Sequence, residues 1–526
     1  MTKRLKATST LAVAMAMLLA ACGSGSKSSS AQTGSSTTLG NAVAGGKLTI
    51  ARDSDISTWD GRDAYLPADF ATISMVTESL LRKDEKTGAV GPGIGESFAF
   101  SADGKVLNVK LRDGVKFSDG TPLRPQDVVF SFGLWKTPKS INNLWVATIE
   151  SAKVGADGKS VDFISPQPDY YASTALTAPW YAVLKENFGG LPEKEYLAKP
   201  IGTGAFMIKS QDPGKQIDLV RNANYWDAPK PYLDELVLLT IPDATQRQLQ
   251  FKSGQVQLVE NLSQDQQQQF GKDVVKVFPA KRQPILQMSF KNKLLANLDL
   301  RKAVSLAVNR DALLKGILNG QGEVAHTLLP QVMPNQPGPS DGKWATFDQA
   351  EARRLVTQSG YKGEEMTLIV SSTQALYVTF AQAVIQQLGD VGIKVKLKPL
   401  DTQTFSDTLF GPDFTGGTYD FAIKNLEANL ASPEDILSEI SGFGYYFTSG
   451  PKEAVDVATK AFNDLASAKR DAMNPIIQSF ENSAYHYVTW VPLVVPSVAA
   501  AVQPNVVGFH YNDLGYFRPE NLSLSK

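Results

Sequence analysis

Between Met366 and Leu397 the chain spells a β-α-β unit, and no other stretch narrows the possible folds so far. Met366 to Val370 is an apolar strand, Tyr377 to Leu388 has helical apolar spacing, and Ile393-Lys394-Val395-Lys396-Leu397 alternates with the period of a strand. Two strands joined by a helix lie parallel in one sheet, with the helix covering a face, so the fold class is α/β. Tyr419 to Ile423 reads as a further strand. Ser432-Pro433-Glu434-Asp435 then marks a helix start, with Ser as cap, Pro at the first helical position and an acid at the third. The segment Lys424 to Ala431, with Asn425, Glu427 and Asn429, is therefore a loop at a carboxyl strand end, where open α/β sheets bind ligands.

Elsewhere the chain is punctuated by turns. Asp103-Gly104 and Asp157-Gly158 sit between strand-like runs and predict two-residue type I′ hairpins. The stretch Val154 to Ser160 is no phosphate loop, because the required first glycine falls at Lys153. Arg124-Pro125-Gln126-Asp127 leads into a helix. Leu300, Ala303, Val304, Ala307 and Val308 share one helical face with Asp299 as expected N-cap, and the phase restarts at Asn309. Asp348 with Glu351 predicts a capping-box variant, and Gly360 a helix stop.

With 526 residues, 43% hydrophobic and 20% charged, the chain can bury sizeable cores in about three domains. Its formal charge of −1 gives no electrostatic reason to expect nucleic acid as a partner. The single cysteine, Cys22, excludes an internal disulfide. His326, His486 and His510 match no zinc or haem spacing, no G-x-S-x-G is present, and no metal or cofactor is expected.

Residues 1–21 have a basic start, an apolar run from Leu11 to Ala20 and small residues before Cys22, the layout of a secretory signal. Gly23 to Gly46 is rich in Gly, Ser and Thr and is expected to be a flexible tether, reaching on the order of 25–30 Å. The folded body begins with a strand at Lys47 to Ala51. Asp53 to Asp60, containing Ser54, Asp55 and Trp59, follows it as a loop, read equally as a surface turn with one packed Trp or as a ligand contact.

The order Glu78-Ser79-Leu80-Leu81-Arg82, then Gly95-Glu96-Ser97, Leu111-Arg112-Asp113-Gly114-Val115-Lys116-Phe117-Ser118-Asp119-Gly120-Thr121-Pro122-Leu123, and Asp127-Val128 before Ser131-Phe132 resembles the extracellular solute-binding proteins that serve oligopeptide, dipeptide and nickel importers. The resemblance continues through Pro200-Ile201-Gly202-Thr203-Gly204-Ala205-Phe206, where Ala205 replaces the family's usual proline. It also takes in Arg221-Asn222-Ala223-Asn224-Tyr225-Trp226, Arg301 to Arg310 and Trp490 to Pro496. Gly202 and Gly204 suit a chain reversal between domains. Leu19-Ala20-Ala21-Cys22 resembles a bacterial lipobox, whose cysteine is lipidated and becomes the new N-terminus.

The resemblance implies a two-lobed, periplasmic-binding-protein-like α/β body of three chain regions, with mixed sheets and a hinge crevice. One lobe would combine 47–80, 203–280 and 495–526, with 81–202 as a small subdomain beside it, and 281–494 would form the second lobe. It implies a monomer without catalysis, held by the lipid of Cys22 at the outer face of the cytoplasmic membrane. That monomer would pass a small solute, peptide or oligosaccharide, to an ABC permease and its ATPase. In peptide-binding relatives an aspartate four residues before the proline receives the ligand's ammonium group; here that position is Asn429, and Glu427 is two residues off register. Ligand contacts are accordingly expected from Asn425, Glu427, Asn429, Ser54, Asp55 and Trp59. An extracytoplasmic hydrolase and a sensor lipoprotein without a permease are the alternatives.

Overall fold

The computed structural model describes residues 43–525 except 65, 85–87, 141, 333–335, 341, 344–345, 412–416, 428–429, 431, 443–451 and 513–514. The expected signal segment, Cys22 and most of the tether lie outside the described residues.

Three sheets organise the body. The β-α-β reading holds in the five-stranded one, ordered Val395–Leu400, Met366–Ser371, Phe421–Glu427, Arg282–Met288, Trp490–Pro492. Met366–Ser371 runs parallel to Val395–Leu400, and the helix Ala375–Asp390 buries Phe380, Ala381, Val384 and Leu388 against the sheet. Trp490–Pro492 is an edge strand, which is where a proline costs no ladder hydrogen bond.

A seven-stranded sheet takes strands from distant parts of the chain, in the order Val275–Phe278, Val498–Val502, Leu258–Val259, Lys47–Arg52, Glu235–Thr240, Gln216–Arg221, Phe206–Asp212. Lys47–Arg52 is parallel to both its neighbours. A four-stranded antiparallel sheet carries Gly95–Phe100, Val106–Leu111, Ser160–Ile164 and Ser151–Val154. It shares one apolar core with the seven-stranded sheet, whereas the five-stranded sheet has its own. The chain passes between the two cores after Phe278 and again between Pro492 and Val498. This is the two-lobed arrangement.

Local geometry corrects several expectations. In both hairpins the aspartate keeps a negative φ and only the glycine is left-handed (Gly104 +71°, Gly158 +65°), closed by Gly104 N to Ser101 O and Gly158 N to Gly155 O. These are four-residue turns ending on a left-handed glycine, not type I′ pairs. The helix Leu298–Ala307 is capped by Asn297, whose Oδ1 accepts from the amides of Asp299 and Leu300, so Asp299 lies inside the first turn. Asp348 caps as expected, but Glu351 turns outward to Arg354 at 2.7 Å instead of closing the box. The strand expected over Tyr419 to Ile423 runs Phe421–Glu427, because pairing with Arg282–Met288 along its whole length extends it. Much of the expected binding loop is thus strand.

Arg301 and Arg310 explain their shared motif. Both are buried and meet carbonyls rather than acids. Arg301 donates to Leu295, Ala296 and Tyr487, and Arg310 to Ser305, Val308 and Pro492. Burial pulls both guanidinium groups below their ordinary range. They tie helix ends to the edge-strand segment of the second lobe.

Candidate functional site

The helix Pro67–Val76 ends at Thr77, and the chain enters the short strand Leu81–Lys83 through Glu78. Glu78 is buried, and its carboxylate accepts from the Arg82 guanidinium and from Trp226 Nε1 at 3.0 Å. Arg82 also donates to the Tyr225 hydroxyl at 2.8 Å. The Trp226 ring has two guanidinium neighbours, Arg82 at 5.0 Å and Arg112 at 4.3 Å from its centroid, both within cation–π range. Three signature stretches, remote in sequence, therefore meet in one cluster. Burial pushes the Glu78 carboxyl up against the opposing pull of Arg82. Burial disfavours the Arg82 charge, yet Glu78 and Tyr225 raise it further above its ordinary range.

Gly202 and Gly204 let this cluster close. Neither has a positive φ; what requires glycine at both positions is close approach. A Cβ on Gly202 would lie 2.1 Å from Val76 O, and one on Gly204 2.5 Å from the Val76 carbonyl carbon. Gly204 N donates to Val76 O at 2.9 Å.

On the other side of Glu78 and Arg82 is a cavity of about 150 Å³. Its wall includes Lys83, Leu430, Tyr516 and Arg518, from three remote parts of the chain. The acids Glu78, Asp84 and Glu520 balance the bases Arg82, Lys83 and Arg518, so the lining carries no net charge. The second lobe contributes Leu430 to its wall. Lys83 Nζ donates to Leu430 O, Leu430 N donates to Asp435 at 2.7 Å, and Asp435 also receives the Trp145 indole N–H. Further contacts join the lobes, among them Tyr170 N to Ala466 O at 2.7 Å, Ser467 Oγ to Pro168 O at 2.9 Å and Arg470 Nη1 to Gly88 O at 3.3 Å. Ser432 Oγ accepts from Asp435 N, the cap expected for the helix Pro433–Gly442.

The expected contact residues distribute unevenly around this site. Asn429 lies outside the described residues, between Glu427 and the cavity-lining Leu430. Glu427 ends its strand directly opposite Arg282, and Asn425 is half-buried opposite Pro284. Ser54 is exposed, bonds Asp53 at 3.0 Å and lines a second, smaller cavity. Asp55 receives the amides of Ile56 and Gly214. Trp59 is buried and donates to Gln211 at 2.9 Å. Asp55 and Trp59 thus fasten their loop to the 206–221 hairpin and line neither cavity. Lys83, Tyr516 and Arg518 carried no local signal as site residues; only tertiary contact brings them together. Among the described residues no cluster of three His, Cys, Asp or Glu can hold a metal, and no helix is long and apolar enough to cross a membrane.

Residues 89–446 match the family described as bacterial extracellular solute-binding proteins, family 5 Middle. The glutathione-binding protein GsiB of Escherichia coli K12 is 24% identical over 491 residues, covering 89% of this chain and 92% of its own. Among solved structures, the oligopeptide-binding protein AppA of Bacillus subtilis, in complex with a nonapeptide, is 22% identical with a TM-score of 0.78. That match covers 92% of this chain and all of AppA. The substrate-binding protein CtaP of Listeria monocytogenes is 20% identical with a TM-score of 0.80, over 92% of this chain and all of its own. These likenesses agree with the two cores, the double crossing and the cavity between lobes, and with capture of a solute for an ABC importer. The chain belongs to the family 5 bacterial extracellular solute-binding proteins.

Proposed function

We propose that this protein, anchored through a lipid on Cys22 and acting as a monomer without catalysis, captures a solute that brings no free ammonium group to the cleft. Oligosaccharides, N-blocked peptides and longer peptides with solvated ends meet that description. The observation that carries it is Asn429, in sequence the position where peptide-binding relatives place an aspartate, together with a cavity whose acids and bases cancel. A charge-assisted hydrogen bond to an ammonium is worth about 1.5–3 kcal/mol. Asn429 offers an amide, which suits hydroxyls and neutral amides but cannot neutralise a charge enclosed by closing lobes. AppA's nonapeptide and GsiB's glutathione keep peptides among the candidates.

The test is thermal-shift and calorimetric screening of peptides with free and acetylated N-termini beside oligosaccharides. A binder at 100 times its dissociation constant adds about 2.7 kcal/mol of stability. Micromolar binding of a free-ended dipeptide, abolished by acetylation, would refute the reading, and its loss in Glu427→Gln would move the ammonium anchor to Glu427. For the anchor, wild type should fractionate with membranes and Cys22→Ser should not. A mature N-terminus without lipid by mass spectrometry overturns it.

A further inference from the structure

A second cavity, of about 30 Å³, sits at the carboxyl ends of the adjacent parallel strands Lys47–Arg52 and Leu258–Val259. Arg52, Asp53, Ser54, Glu260, Arg282 and Tyr516 line it, and Tyr516 also lines the larger cavity. One water needs about 10–15 Å³ of such space, so the cavity has room for a small functional group. Carboxyl ends of parallel strands are where open α/β sheets receive ligands.

Arg52 supplies the chemistry. Its side chain is 6% exposed; Nε donates to Glu260 Oε2 at 2.6 Å and Nη1 to Thr72 Oγ1 at 2.5 Å. Its Nη2 is buried and has no hydrogen-bond partner among the described residues. A buried guanidinium N–H without an acceptor is costly, and because Arg52 lines the cavity an oxygen from outside the chain can supply one. The charges around it decide which oxygen. Glu260 neutralises Arg52, and Asp53 and Arg282 add one charge of each sign to the lining. A carboxylate entering this site would add an uncompensated charge, whereas a hydroxyl or carboxamide can accept from Arg52 and donate to a neighbouring carboxylate.

We propose that this cavity is a subsite of the solute-binding cleft that takes an uncharged donor–acceptor group, a hydroxyl or a primary carboxamide, on Arg52 Nη2. The inference rests on the solute-capture reading and adds a second point of contact beyond the Leu430 side of the cleft. Ala68 on the cavity wall is half-buried in the first turn of its helix, so Ala68→Leu fills the space without touching the Arg52–Glu260 pair.

Wild type, Ala68→Leu and Arg282→Gln are titrated calorimetrically with maltotriose, cellotriose, N-acetyl-trialanine amide and N-acetyl-trialanine free acid. The expected result is binding of a neutral probe to wild type, weakened about tenfold or more in Ala68→Leu. The melting temperature of the unliganded variant should stay close to that of wild type. Unchanged affinity in Ala68→Leu would show that the cavity holds solvent only, overturning the subsite and leaving solute capture intact. A preference for the free acid over the amide would overturn the uncharged chemistry. Failure of every probe to bind wild type would remove capture of uncharged solutes and this subsite together. Should Ala68→Leu not fold, the same reading is taken from Arg282→Gln, where unchanged affinity overturns the proposal.

Discussion

Replacing Glu78 by alanine isolates the cluster that joins the signature stretches to the cavity. The change strips the Arg82 guanidinium of its acid and Trp226 Nε1 of its 3.0 Å acceptor, leaving Arg82 with the Tyr225 hydroxyl and with Asp227 at 3.9 Å. The Glu78 side chain is 6% exposed and that of Arg82 19% exposed, so water restores little of the loss. Breaking a buried pair from one side costs about 3–5 kcal/mol, because the surviving charge remains buried. Glu78→Gln keeps an oxygen for the indole and loses only the charge, so it should cost less, about 2–3 kcal/mol. Urea unfolding followed by far-UV circular dichroism and tryptophan fluorescence measures both. A loss below about 1 kcal/mol for Glu78→Ala, with an unchanged m-value, would refute the claim that this ion pair organises the cleft wall.

Gly204→Ala should destabilise by more than about 2 kcal/mol, since its Cβ meets the Val76 carbonyl carbon at 2.5 Å and has no flexible neighbour to displace; a neutral result in urea unfolding refutes the close-approach argument. Arg310→Met should cost about 3 kcal/mol or more by orphaning the Ser305, Val308 and Pro492 carbonyls, and a melting temperature equal to wild type would count against it. Trp145→Phe removes the indole bond to Asp435 across the lobes, worth about 1.5–3 kcal/mol, so X-ray scattering should show a larger radius of gyration; an unchanged curve denies the latch. Burial raises the Glu434 carboxyl above its ordinary 4.5, so its stability contribution is full below pH 4.5 and lost as pH rises through the folded value. Glu434→Gln should therefore gain on wild type as pH rises and converge with it in acid, and a pH-independent difference in melting temperature contradicts this.

Period and turn chemistry alone determined the β-α-β unit, the Ser432 cap with Pro433 after it, the Gly104 and Gly158 turns and the edge placement of Trp490–Pro492. Each depends on residues a few positions apart, where side-chain spacing and backbone sterics are local. The resemblance of Glu78 to Phe132 and of the Arg221 to Trp226 stretch to one family was equally legible, but the reason for those residues was not. Glu78 and Trp226 are 148 positions apart, and Lys83 and Leu430 are 347 apart. What joins them is the shared loss of water in a closed core, and no local pattern encodes that. The same holds for the Phe421–Glu427 strand, lengthened by its partner, and for Asp55 and Trp59, spent on anchoring a hairpin. Arg52 reads in sequence as the end of a strand. Only the packing of Glu260, Thr72 and Tyr516 decided that it is buried at a cavity wall with one nitrogen lacking a partner among the described residues, because desolvation acts on the assembled neighbours and not on the residue alone.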